Sequence, residues 1–310
     1  MVLYQKELSL ALDLAKNASK ITEWFKQKGF KTFQKKDESP VTLADITAQI
    51  YVLHNIKAHF PDDQIIAEEG DVSFIDKSAE KTIKKCFKAV GFDCTSNFKE
   101  LVMYRGKNSE KQWTIDPIDG TLSFTKGLSY SIGIGLMVRS EPKICVIFVP
   151  NYKEKESATF YAEENKGANV IYGKESTTIR VSEQKNLKKS KLVHSLHFNK
   201  PWVDKFAELV GIKERIPNDS MIIFCRIADG SADFCLKPID VDQAFSWDYM
   251  PGSLLIKEAG GEITDLKGFP IKSKDDKFNC PTPGFIISNG FLHKEIIEII
   301  KKNRIISELK

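Results

Sequence analysis

Apolar residues recur along the first sixty positions with helical rather than strand spacing. Leu8, Leu12, Ala15 and Ala18 fall on one side of a charged segment, and Ile46, Ile50, Leu53 and Ile56 repeat the pattern. The spacing predicts helices over about Gln5 to Lys28 and Leu43 to His59. Ile65-Ile66-Ala67 then reads as a short buried strand that runs into Glu68-Glu69-Gly70-Asp71, and the lysine-rich stretch Lys77 to Lys111 as a helix plus an exposed loop. The apolar runs Ser131 to Val138 and Ile144 to Val149 predict paired strands across a turn at Glu141-Pro142, with glycines that imply close packing. Beyond about Arg180, short apolar segments alternate at Leu192 to Leu196, Lys205 to Val210, Ile222 to Ala228 and Phe285 to Ser288, as a second α/β layer would require. A further helical spacing, Leu254, Leu255 and Ala259, follows Trp247-Asp248 and ends at Gly260-Gly261. Neither repeats nor low-complexity linkers interrupt the chain, and two packed lobes, 1–180 and 181–310, are expected.

Composition changes this picture little. The 310 residues, 42% of them apolar, suffice for one large core. With 46 basic against 42 acidic residues the net charge is only +4, and no basic stripe with interleaved aromatics suggests nucleic-acid binding. The cluster Lys185 to Lys191 reads as a solvated face. Cysteines 86, 94, 145, 225, 235 and 280 form no Cys-x-x-Cys pair and are not spaced with histidines, so they read as reduced structural thiols. No run approaches the roughly 20 apolar residues of a membrane span, and the N-terminus lacks a signal-peptide core. A cytoplasmic location is the expectation.

The candidate chemistry centres on Asp116-Pro117-Ile118-Asp119-Gly120-Thr121, which follows the apolar Trp113-Thr114-Ile115. Two carboxylates flank a rigid proline and an available carbonyl, a donor set suited to a hard cation, and Gly120 frees the backbone for close approach to a ligand. Free N–H groups at a following helix start suit a phosphate. An ordinary strand-to-turn connection would use the same residue types. Adjacent Glu68 and Glu69 repel unless a cation or water intervenes. Asp45, after Ser39-Pro40-Val41-Thr42, and Asp248 each open a helical pattern, where plain capping is the alternative.

Taken together, these four segments resemble the lithium-sensitive, Mg²⁺-dependent phosphatase superfamily of inositol monophosphatases, fructose-1,6-bisphosphatases and 3'(2'),5'-bisphosphate nucleotidases. The resemblance covers nearly the whole chain. It implies a layered αβαβα sandwich in two lobes, with two or three Mg²⁺ ions held by Glu68, Asp116, the Ile118 carbonyl, Asp119 and Asp248. It also implies that Asp45 and Thr121 orient the attacking water, that Gly120 and Thr121 grip the phosphate, and that Li⁺ inhibits. The implied reaction is hydrolysis of a phosphate monoester by metal-activated water, without a covalent intermediate.

For the substrate, a small molecule, His194-Ser195-Leu196-His197 is similar to a segment that leads into the nucleotide pocket of bisphosphate nucleotidases. The match would set His197 against adenine, and Ser220 matches a nucleotide-contacting serine. Lys237 stands where inositol monophosphatases tend to carry Glu and bisphosphate nucleotidases Arg, and its point charge fits a second phosphate less directionally than Arg. The 47 residues between Glu68 and Asp116 also suit the nucleotidase branch. Two departures oppose it, because Leu122 and Ile223 stand where lysines are expected, with Lys126 and Arg226 as nearby candidates to compensate. The resemblance therefore points to removal of the 3'-phosphate of adenosine 3',5'-bisphosphate to leave AMP, in sulfur metabolism, with use of PAPS and inositol 1,4-bisphosphate left open. The alternatives are an inositol phosphatase with the same metal core and, more remotely, a non-catalytic module that binds phosphometabolites.

Overall fold

The computed structural model describes residues 4–154, 156–239, 245–274, 277–279 and 282–305. Cys280 lies outside them. Five layers alternate helix and sheet, an αβαβα sandwich. The first layer contains the helices Gln5–Lys28, Leu43–His59, Lys77–Val90 and Phe98–Val102, so the stretch expected to hold one helix holds two. The buried stripe of the first helix runs through Ala11, Leu14, Ala18, Ile21 and Phe25, while Leu8 and Leu12 are only partly buried at its margin.

The second layer is a seven-stranded sheet. Gln64–Ala67 pairs in parallel with Lys111–Asp119, which opens an antiparallel meander of Ser131–Val138, Glu141–Val149, Ala158–Glu163, Ala168–Tyr172 and Glu175–Ile179. Ile132, Ile134, Leu136, Ile144, Val146 and Phe148 face the first helical layer; Met137, Cys145, Ile147 and Val149 face the central one. Burial on both faces explains why these strands are almost continuously apolar. The turn between them is Arg139-Ser140, both left-handed (φ 54° and 62°), and not Glu141-Pro142. Pro142 instead pairs with Met137 beside a register shift, where an irregular ladder tolerates its missing N–H.

The central layer consists of helices Ile222–Ala228 and Ser246–Glu258, whose apolar residues share one core with both sheets. Close approach requires glycine in the large sheet. A Cβ on Gly133 would lie 2.2 Å from Met221 Cε, and one on Gly135 3.3 Å from Pro251 Cγ. The fourth layer is a five-stranded sheet in the spatial order Glu214–Asn218, Lys191–Ser195, Phe234–Pro238, Gly284–Ser288, Glu262–Asp265. Its far face packs Leu192, Phe234, Leu236 and Ile286 against the outer helices Pro201–Val210 and His293–Lys302. No helix among the described residues is long and apolar enough to cross a membrane.

The outer core encloses His293, which is 2% exposed. Its Nδ1 lies 2.8 Å from Ser288 Oγ and its Nε2 2.8 Å from Thr264 Oγ1, whose own proton goes to the Asp265 carbonyl. The network therefore assigns a neutral ring that donates from Nε2 and accepts at Nδ1. Burial pushes its pKa down from 6.5 to about 4. The unfolded chain binds the proton more readily, so stability is full above pH 6.5 and declines as pH falls toward 4, by up to about 3 kcal/mol. Urea midpoints across that window should flatten in His293→Gln; an unchanged slope would show that the ring is not held neutral.

Candidate active site

Side chains three apart on a regular strand point to opposite faces, yet the Asp116 and Asp119 carboxylates converge. The ladder supplies the reason. Asp116 pairs with Gly133 and Asp119 with Ser131, so Pro117 and Ile118 together oppose Ile132 alone. This bulge turns Asp119 onto the Asp116 face at a place where proline's missing N–H removes no ladder bond. Asp248 approaches from the first turn of the central helix Ser246–Glu258, where Phe245 and not Asp248 occupies the cap. Asp116, Asp119 and Asp248 each offer an oxygen within 4.8 Å of the others, a group able to hold a metal ion.

Glu68 extends this acidic wall. Its Oε2 is buried without a hydrogen-bond partner. Lys35 Nζ lies 2.6 Å from Glu68 Oε1 and 2.7 Å from Glu69 Oε1, and so bridges the repelling pair. The ribbon Thr32–Gln34/Pro40–Thr42 delivers it, closed by bonds from Lys35 N to the Ser39 carbonyl and from Glu38 N to the Lys35 carbonyl. Burial works against the Lys35 charge, but Glu68 and Glu69 outweigh it and hold its pKa above the usual lysine range. Gln49 fixes the Glu69 backbone by donating to its carbonyl and accepting from its N–H at 2.6 and 2.9 Å. Repulsion between Glu68 and Glu69 signalled a missing cation, but the sequence did not say which lysine supplies it.

Asp45 is not the helix cap either. Thr42 caps Leu43–His59, and Asp45 closes a capping box by accepting from the Thr42 N–H at 2.9 Å. Its other oxygen lies 3.0 Å from Thr121 Oγ1, which is also 3.1 Å from the Ile118 carbonyl. Gly120, left-handed at φ 91°, caps the short helix Thr121–Thr125, whose first N–H groups have no acceptor within the helix. A cap with a β-carbon would also press on Ser220, at 3.3 Å.

Burial raises every carboxylate of this wall for which a shift is resolved. Asp45 is pushed up to about 6, chiefly by desolvation. Asp119 rises to about 7 by desolvation, against the restraining charge of Lys237 and the Met221 N–H. Asp116 and Asp248 lie well above the carboxylate range, from desolvation first and then mutual repulsion with Glu68 and Asp119. Such a site favours either protons or a bound cation. Oxygen donors with an orphaned Glu68 oxygen among them fit a hard divalent ion.

Ser220, left-handed at φ 60°, aims the next N–H, that of Met221, at Asp119. A non-glycine residue in this region is strained, as is common at functional sites. The Ser220 hydroxyl lies 3.1 Å from Ser131 Oγ. His197 meets Ser123 of the short helix and hydrogen-bonds Asp219 through Nδ1. Lys237, on the strand Phe234–Pro238, acts on both Asp119 and Asp248. Asp219, Ser123 and Lys35 belong to the site although the sequence assigned none of them a role. Ile223 is buried in the central core, so a lysine there would not face solvent.

The model of the inositol monophosphatase family matches residues 4–304. A 3'(2'),5'-bisphosphate nucleotidase of Emericella nidulans is 27% identical, over 96% of this chain and 98% of its own. One from Schizosaccharomyces pombe is 29% identical, over 86% and 87%. Among solved structures, an IMPase of Thermotoga maritima superposes with a TM-score of 0.72 at 25% identity, over 99% of this chain and all of that one.

Proposed function

The chain belongs to the inositol monophosphatase family, and from that premise we propose that it removes the 3'-phosphate of adenosine 3',5'-bisphosphate, leaving AMP, with Mg²⁺ as its cation. The observation that carries the reaction is the Asp45–Thr121 contact at 3.0 Å beside the convergent Asp116, Asp119 and Asp248. Glu68, Asp116, the Ile118 carbonyl, Asp119 and Asp248 would hold the ions. When bound, they supply charge neutralisation on phosphate oxygens and lower the pKa of water.

The chain's own residues do the rest. Thr121 gives its proton to Asp45 or the Ile118 carbonyl, which leaves its lone pairs to accept from a water and orient it. Asp45, hydrogen-bonded to the Thr121 hydroxyl that orients the water, is placed to take the proton the water gives up. The water oxygen bonds to phosphorus as the bond to the ribose oxygen breaks, and the ribose oxygen takes a proton from solvent water to leave as a hydroxyl, while Asp45 returns its own proton to solvent. Gly120 and Thr121 offer N–H groups to the phosphate. Lys237, His197 and Ser220 serve the distal part of the substrate. Five described cysteines are free thiols, in keeping with a reducing cytoplasm.

The nucleotide reading draws on the bisphosphate nucleotidase relatives and on a cation at position 237. Phosphate release in Mg²⁺ tests it, comparing adenosine 3',5'-bisphosphate, inositol 1-phosphate, inositol 1,4-bisphosphate and fructose 1,6-bisphosphate, with and without Li⁺. Fast, Li⁺-sensitive release from the nucleotide is expected. Preference for an inositol phosphate would reassign the pocket, and ligand binding without release would indicate a binding module.

A further inference from the structure

Lys126 caps the C-terminal end of the short helix whose first residue is Thr121, about 7.5 Å further along the helix axis. Its side chain is exposed, and Nζ lies 3.1 Å from His197 Nε2. Two basic nitrogens at that distance require one to be an acceptor. Asp219 decides which. Its carboxylate is 8% exposed and takes hydrogen bonds from Ser195 Oγ at 2.8 Å, Leu196 N at 3.0 Å, Ser123 Oγ at 2.9 Å and His197 Nδ1. Burial works to raise the Asp219 pKa, but the donors His197, Ser195 and Ser123 outweigh it and keep the group ionised. The ring therefore donates from Nδ1 and presents the Nε2 lone pair to the ammonium.

Lys126 is thus positioned by a neutral acceptor, and no described carboxylate lies within ion-pair distance of it. Lys35, Lys143 and Lys153, by contrast, all pair with acids. Its charge remains available to an anion. Position 122 offers no cation, Ile223 is buried, and Arg226 lies over the Tyr152 ring with its guanidinium carbon 5.7 Å from the centroid.

We infer that Lys126, held by His197 and oriented through Asp219, is a second cation, beside Lys237, for the distal phosphate of a bisphosphorylated substrate. This rests on the phosphatase reading above. Lys126 determines specificity, and Asp219 is a positioning residue that acts through His197.

The test compares kcat/KM for adenosine 3',5'-bisphosphate with that for adenosine 3'-monophosphate, in the intact protein and in Lys126→Met. The ratio should fall at least tenfold, mainly through KM for the bisphosphate. Asp219→Asn, which frees the ring, should lower the same ratio. A loss shared equally by both substrates, or an unchanged ratio, overturns the inference while leaving the nucleotidase reading intact. If the intact protein cleaves only inositol phosphates, the nucleotide reading fails. The same ratio, for inositol 1,4-bisphosphate against inositol 1-phosphate, then decides the role of Lys126. Turnover of neither pair removes both.

Discussion

Asp119→Asn should lose at least about 100-fold in turnover, the scale seen when one group of a preorganised charge-stabilising set is removed, yet unfold at a higher temperature than the parent in a chelator. Both effects have one cause. Without a cation, Asp119 stands among Asp116, Asp248 and Glu68, and burial lifts its pKa from 3.8 to about 7. A carboxyl whose folded pKa is raised contributes stability below its unfolded pKa and loses it as pH rises through the folded value. The metal-free protein should therefore weaken between about pH 4 and 7, and Asn should recover at least about 1 kcal/mol at pH 7.5 and little below about pH 4. Asp116→Asn should behave alike. Added Mg²⁺ should raise the parent's melting temperature and have a much smaller effect on either variant. Near-parental turnover in either would withdraw the metal assignment, and a chelator-stripped variant less stable than the parent would withdraw the electrostatic account.

Removing Lys35 should act in the opposite sense. Its ammonium lies within 2.7 Å of oxygens from both Glu68 and Glu69, with its side chain 19% exposed and that of Glu69 4% exposed. Deleting one partner of a largely buried pair leaves the other charge uncompensated, so Lys35→Met should destabilise the chelated protein by about 1–3 kcal/mol. Lys35 also competes with any metal for Glu68. Divalent cations should therefore restore more stability to Lys35→Met than they add to the parent, and half-saturate at lower Mg²⁺. Calorimetric melts across a Mg²⁺ titration measure both quantities. Equal Mg²⁺-induced shifts in the two proteins would mean that Lys35 is only a structural counter-ion to Glu69.

The helices Gln5–Lys28 and Leu43–His59 were legible because their signals are local. Apolar spacing repeats within each segment. The paired strands were equally plain, since sheets buried on both faces leave continuous apolar runs. Their turn was misplaced because proline is a common turn residue, whereas two consecutive left-handed non-glycine residues, Arg139 and Ser140, leave no comparable mark. Residue types in the hexapeptide, the acidic pair and Asp248 likewise pointed to a candidate cation site from sequence alone, because their order along the chain is distinctive.

What the sequence by itself determined, then, was the elements and the kinds of donor available. Tertiary structure decided their geometry. The bulge at Pro117-Ile118 brought Asp116 and Asp119 to one face, the Thr121 hydroxyl found an acceptor 76 residues away in Asp45, and Lys35 reached Glu68 across 33 residues. Asp219, which local sequence would assign to a loop, became the anchor for His197 across 22 residues and for Ser123 across 96. Periodicity and capping are written in neighbouring residues, whereas a contact between distant side chains depends on how whole layers stack. The chain records that stacking only as a pattern of burial, which locates the core but not the partner of any one polar group.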